Sequence, residues 1–315
     1  MKEQEFLSII NNTLKDNSFL GNDCALIEEG LYITQDTLVE DIHFDLKTIS
    51  PFKLGYKSVA VNLSDLAAAL SKPKYITISF STPKSCTNDF VLNFYKGINF
   101  ICEQYGVKVI GGDITGSDKI CISITAIGKK ISKFNISRNL AQVGDIVFTT
   151  GAHGLSAGGF YALQKNDTSF PMLVEAHLMP KPQLEAGYIL SKIIKRDIAV
   201  MDTSDGLGDA LYKIANMSDV TLKIDYNKLH KPEELIKAAN KYNKQVEKFI
   251  FWGGEDYQLV GCIPKESLNK LDEKIFFPIG EVVSKGDHPV LIDNLDSIPF
   301  IEKNIFESET YNHFV

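Results

Sequence analysis

Apolar positions recur along this chain with two different periods. Phe6, Ile9, Ile10 and Leu14 fall at helical spacing and predict an opening amphipathic helix. Gly21-Asn22 breaks it, and Cys24–Ile27 and Leu31–Thr34 read as two strands around a turn at Glu28–Gly30. Ser50-Pro51 is a cap followed by proline at the first helical position, which predicts a second helix running through Leu63 toward Leu70. A strand over 75–80 follows. Then comes a long helix from Thr87, with Phe90, Val91, Phe94, Ile98 and Ile101 on one face. A strand over 107–110 leads into Gly111-Gly112-Asp113, and Ile120–Ile127 alternates as a half-buried strand.

A polar stretch at 130–144 marks a break, after which the same style returns. Strands are expected at 145–150, 198–201, 220–225 and 257–263, and helices at 153–164, 183–195, 206–216 and 231–242, with short strands to about 300. The fold class is α/β (α+β), with two mixed αβ domains over 1–138 and 139–315.

Composition narrows the function. Of 315 residues, 44% are hydrophobic and 23% charged, the balance of a globular protein rather than a disordered or fibrous one. A net charge of −7 argues against a nucleic-acid groove. The N-terminus is charged where a signal peptide needs its apolar run, and no apolar run approaches membrane-spanning length. Five cysteines without CxxC spacing read as reduced thiols of a cytoplasmic protein. Arg138 and Arg196 are the only arginines, so any phosphate chemistry cannot rest on arginine clamps.

The acids carry the chemistry. Asp23, Asp36, Asp65, Asp113, Asp202, Asp205 and the pair Glu255-Asp256 lie beside glycine, at strand ends or within apolar segments. Ligand sites of αβ domains gather at strand ends. Each acid has a bland alternative as an Asx turn or a helix cap. Asp65 is the hardest to explain that way, because Ala60-Val61 and Leu66–Leu70 leave it on an apolar helix. Two carboxylates about 4 Å apart repel by roughly 4 kcal/mol at an effective dielectric of about 20. A convergent cluster therefore needs protons or metal, and oxygen-only ligands favour magnesium or calcium over zinc. No Walker loop, dinucleotide fingerprint or protein-kinase triplet is present. The glycine-rich turn Gly151–Gly159 suits either an anion or tight packing.

In this order the motifs resemble those of the thiamine-monophosphate kinases, in the superfamily of aminoimidazole ribonucleotide synthetase. They are Gly21-Asn22-Asp23, Thr34-Gln35-Asp36-Thr37 with His43-Phe44, Gly55-Tyr56-Lys57 through Asn62-Leu63-Ser64-Asp65, and Gly111-Gly112-Asp113. Val143-Gly144-Asp145, His177-Leu178-Met179-Pro180, Asp202-Thr203-Ser204-Asp205-Gly206, Gly253-Gly254-Glu255-Asp256 and the ending Tyr311-Asn312-His313-Phe314 complete the set. The resemblance implies a homodimer with paired N-terminal sheets, moving the γ-phosphoryl group of ATP onto thiamine monophosphate with several Mg2+ ions. It implies Asp23, Thr34, Gln35, Asp36, Asp65, Asp113, Asp202 and Asp205 at the metals, with Gln35 where threonine is usual. It places Tyr105, Gly112, Asp113, Arg138 and Ser204 against the nucleotide, and His43, Glu255 and Tyr311 against the acceptor.

An ionised phosphate acceptor needs no general base, so no catalytic nucleophile is assigned. The rival readings are another ATP-dependent enzyme of this superfamily, of the aminoimidazole ribonucleotide or selenophosphate synthetase type, and a non-catalytic magnesium–nucleotide-binding protein. His153 and His177 read as structural.

Overall fold

The computed structural model describes residues 3–311. The first half contains α1 (Glu3–Thr13), β1 (Ala25–Ile27), β2 (Leu31–Val39), α2 (Pro51–Ala68), β3 (Ser71–Thr82), α3 (Asn88–Tyr105), β4 (Lys108–Gly116) and β5 (Cys121–Lys130). Its five strands form one sheet in the order β1-β2-β5-β3-β4, antiparallel except for the β3–β4 pair that α3 connects. Ile78, Phe80, Ile122, Ile124 and Leu38 line the face against α2 and α3. The opposite face carries Thr37, Ser79, Ser123 and Thr125 and has a polar, open character.

α2 is the central element. The Ser50 hydroxyl accepts from the Lys53 N–H at 3.3 Å, Pro51 starts the first turn, and nearly every residue from Leu54 onward is buried. Its two flanks explain this: α3 lies on one side and the second half of the chain on the other. A Cβ at Gly55 would fall 2.0 Å from the Phe94 carbonyl oxygen, and one at Gly97 1.9 Å from that of Phe52. The two helices therefore touch backbone to backbone, a separation that any side chain would prevent.

The second half contains β6 (Ile146–Thr150), α4 (Leu155–Gln164), α5 (Pro171–Leu178), α6 (Leu184–Ile193), β7 (Ala199–Asp202), α7 (Leu207–Ser218) and β8 (Thr221–Asp225). It continues with α8 (Glu233–Lys241), α9 (Val246–Trp252), β9 (Leu259–Ile263), β10 (Phe276–Val283), β11 (Val290–Asp293), β12 (Phe300–Ile301) and α10 (Lys303–Glu309). Seven strands lie in the order β12-β11-β8-β10-β6-β9-β7. A shared apolar cluster joins the halves, with Ala67, Ala68 and Leu70 packed among Phe148, Leu190, Ile198, Val200 and Ile263.

Three features differ from the sequence reading, and a fourth fills in one it left open. β2 runs on to Val39, so Asp36 lies inside a strand rather than closing one. Its inward row passes from core into a polar pocket, and a polar inward residue mimics a strand end. β4 continues straight through Gly111-Gly112-Asp113. A Cβ on Gly112 would sit 2.0 Å from the Ile78 carbonyl oxygen, so this glycine serves close strand approach, not a turn. α5, α9 and α10 have no counterpart in the sequence pattern; at eight, seven and seven residues they are too short to show a clear period. The glycine-rich turn, open in sequence to an anion or to tight packing, is closely packed. A Cβ on Gly159 would meet the Leu173 carbonyl oxygen at 2.0 Å, and the Asp256 carboxylate accepts from the Gly154 and Ser156 N–H groups at 2.5 and 2.9 Å.

Candidate active site

Four aspartates meet where α2 faces both sheets. Asp23 comes from the loop before β1, Asp36 from β2, Asp65 from α2 and Asp202 from the end of β7. Carboxylate oxygens of Asp23, Asp65 and Asp202 lie within 4.8 Å of one another. Each is aimed by a neighbour. The Thr34 hydroxyl donates to Asp65 Oδ2, and the Ser64 hydroxyl donates to Asp202 Oδ2 at 2.6 Å. The Asp36 N–H donates to Asn62 Oδ1 at 3.0 Å, while Asn62 Nδ2 donates to the Ser58 carbonyl at 3.1 Å. Ser58, Asn62 and Asp65 fall at i, i+4 and i+7, a polar stripe along one face of α2.

Among the described residues Arg138 supplies the one cation in direct contact, its guanidinium donating to Asp23 Oδ1. Ser137 Oγ and the Arg138 N–H both donate to Asn22 Oδ1, at 2.8 and 3.1 Å, fixing the linker to the Asp23 loop. The remaining charge is uncompensated. Burial, reinforced by Asp23 and Asp205, pushes Asp36 up to about 6. Burial likewise holds Asp65 well above the usual carboxylate range, with Asp36, Asp202 and Asp23 adding to it. Asp202 moves the same way, through burial first and Asp23 second. A pocket in which acids retain protons for want of positive charge is suited to divalent cations. Cys24 lies behind it as a protonated thiol, raised by burial and the aspartates, and so is no thiolate nucleophile.

Other expected residues are close by. Asp205 lies 3.4 Å from Lys213 Nζ, and its charge reaches Asp36. The Ser204 carbonyl accepts from the Glu255 N–H at 2.6 Å. His43 Nδ1 accepts from the Val39 N–H at 3.0 Å, and its charge reaches Glu255. Tyr311, half exposed, feels both Glu255 and Asp205. His313 and Phe314 lie outside the described residues.

Four of the expected residues are not brought together with the cluster. Gln35 follows inward-facing Thr34 and so points to the open face, where its Oε1 accepts from Thr125 Oγ1 at 2.8 Å. Asp113 pairs with Ser79 and shares that open face at the far edge. Three strand spacings of about 4.8 Å place it about 14 Å from β2. Gly112 is on the same edge strand. Tyr105, at the end of α3, is influenced instead by Glu185 and itself acts on Tyr56. Sequence reasoning assigned no role to Lys57, Asn62 and Ser64. The polar stripe on α2 was the signal for Asn62; Lys57 gave none, because its partner is Glu255.

Residues 21–129 match the family model described as AIR synthase related protein, N-terminal domain. A thiamine-monophosphate kinase of Buchnera aphidicola is 36% identical over 94% of this chain and 92% of its own. The chain belongs to the thiamine-monophosphate kinase family. The Bacillus subtilis thiamine-monophosphate kinase is 32% identical over 94% of this chain and 93% of the relative. A solved structure described as AaThiL complexed with AMPPCP and TMP superposes with a TM-score of 0.87 at 31% identity, covering 99% of this chain and 97% of that one. The acid pocket of this thiamine-monophosphate kinase family member thus lies in a fold that, in that relative, holds an ATP analogue. Among the described residues no helix is long and apolar enough to cross a membrane.

Proposed function

We infer that this chain transfers the γ-phosphoryl group of ATP to thiamine monophosphate, giving thiamine diphosphate and ADP. The observation that carries it is the convergence of Asp23, Asp36, Asp65 and Asp202 against a single arginine, in a chain of this family. Donor and acceptor are both polyanions, and two arginines in the chain cannot neutralise them. Asp23, Asp36, Asp65, Asp202 and Asp205 fit several Mg2+ ions, with the Thr34 hydroxyl alongside. When bound, the ions supply the charge neutralisation that lets two phosphates approach.

The chain's own groups do the rest. Thr34, Ser64 and Asn62 hold the carboxylates and the β2 backbone in fixed positions before any ligand arrives. Arg138 anchors Asp23 from the inter-domain linker and, with Ser204, borders the nucleotide. His43, Glu255 and Tyr311 border the acceptor. Its phosphate oxygen is already ionised at neutral pH, so no side chain has to remove a proton and no covalent intermediate is needed. The division at 1–138 and 139–315 assigns metal and nucleotide binding chiefly to the first part and completion of the substrate site to the second. The five free thiols suit a reducing cytoplasm.

A homodimer completes this reading. β4 is exposed along its whole length, with Val109, Ile110 and Ile114 uncovered, and the open sheet face carries Thr37, Ser79 and Thr125 with Asp113 at its far edge. Asp113 cannot reach the acids of its own chain. Paired sheets would bring Asp113 of the partner subunit to the Gln35 side of β2, making each site a product of two chains.

Incubation with ATP, Mg2+ and thiamine monophosphate, followed by chromatography, should yield thiamine diphosphate; no product at high enzyme concentration overturns the kinase reading. Mixing the two inactive variants Asp23→Asn and Asp113→Asn should restore about a quarter of wild-type activity, because one site in each mixed dimer is intact. No recovery counts against a shared site.

A further inference from the structure

Lys57 is among the largest fully buried side chains of the protein, 1% exposed, on the central helix α2. A lysine so placed must be paired. Its Nζ lies 3.1 Å from Glu255 Oε2, across 198 residues of sequence and from the other half of the chain. His177 Nδ1 lies 3.4 Å from the same oxygen and 2.9 Å from Ser156 Oγ. Both contacts described for this carboxylate fall on Oε2, which leaves Oε1 for a ligand. The side chain remains 27% exposed.

The backbone at Glu255 is equally constrained. Its φ is +65°, a left-handed conformation costly for a residue with a side chain, and its N–H is held by the Ser204 carbonyl. A Cβ on preceding Gly254 would fall 2.6 Å from that carbonyl oxygen. The carboxylate is thus pinned to the Asp202–Asp205 segment through its backbone and to α2 through its head. Burial alone would push Glu255 up, but the Lys57 ammonium beside it outweighs burial and holds it below its usual range. His177, pressed down to about 3 by burial and by Lys57, is the neutral member of the group.

We propose that Lys57 is a positioning residue for acceptor recognition: it holds Glu255 as an anion with Oε1 turned to the ligand, where that oxygen meets the cationic heteroaromatic ring of the acceptor. The proposal rests on the kinase reading and on Glu255 as an acceptor contact. Ion pairs buried this way add little stability over apolar residues of the same volume. A recognition role accounts for keeping one between two halves that already share an apolar cluster.

Steady-state kinetics of wild type, Lys57→Met, Glu255→Gln and the double variant test it. Lys57→Met should raise KM for thiamine monophosphate about tenfold or more, while KM for ATP stays within about twofold. If Lys57 acts only through Glu255, the double variant should match Glu255→Gln within about twofold. Should Lys57→Met fail to fold, the double variant against Glu255→Gln decides alone, since it removes both charges together. An unchanged acceptor KM in Lys57→Met, equal rises for both substrates, or a double variant clearly worse than Glu255→Gln overturns the proposal. A wild-type protein that makes no thiamine diphosphate overturns the kinase reading, and this proposal with it.

Discussion

Two buried acid sites in this protein look alike in sequence and behave oppositely in structure. Asp145, 2% exposed, receives the Arg196 guanidinium on one oxygen and the Gln142 N–H at 3.0 Å on the other. Asp202 is as deeply placed and Asp65 is partly buried, yet hydroxyls are their closest partners and Arg138 is committed to Asp23. A carboxylate that carries its own cation is complete and serves the fold. Carboxylates that crowd one another without cations are complete only when something positive arrives.

The contrast is easiest to break by changing oxygen for nitrogen at each site. Asp36→Asn should lower kcat at least about a hundredfold and raise the magnesium requirement, since metal-borne charge stabilisation is worth several kcal/mol. Normal turnover at low magnesium would remove Asp36 from the site. Asp145→Asn should do the reverse, costing about 3–5 kcal/mol in urea denaturation while kcat stays within about twofold. Asp65→Asn, although inactive, should melt higher than wild type in EDTA, by about 2–4 °C for each kcal/mol of repulsion relieved; a lower melting temperature would mean Asp65 is structurally satisfied.

The smallest effect concerns His153, which is 2% exposed and pressed by burial down to about 3. Its unfolded value is about 6.5, so the unfolded chain binds the extra proton. Its contribution to stability is full above that value and falls by about 1.4 kcal/mol per pH unit below it, until pH nears the folded value. Denaturation at pH 7 and 5.5 should show a shallower loss for His153→Gln than for wild type; equal slopes would mean the histidine is protonated in the fold.

Legibility followed the same line. Asp23, Asp36, Asp65 and Asp202 could be picked out because acids in apolar or glycine contexts violate local pattern, and violations concentrate at functional sites. The facing of Gln35 was also readable: if Thr34 and Asp36 point inward, period two sends Gln35 outward. Lys57 was not, because a lysine on a helix reads as solvated until its partner is known, and that partner lies on a strap of the other half. Asp113 was legible as an acid beside glycines but not as an edge-strand residue, because Gly111-Gly112 reads as a turn until the neighbouring carbonyl is seen.

The bare contact between α2 and α3 gives the protein a vulnerable point far from any reacting atom. Gly97 belongs to a helix that offers nothing to the acid pocket, but its lack of a side chain sets how deeply α2 sits. Asn62, Ser64 and Asp65 ride on that helix together. One methyl group at position 97 would therefore shift all three residues at once, disarming the enzyme from behind while every pocket residue kept its identity.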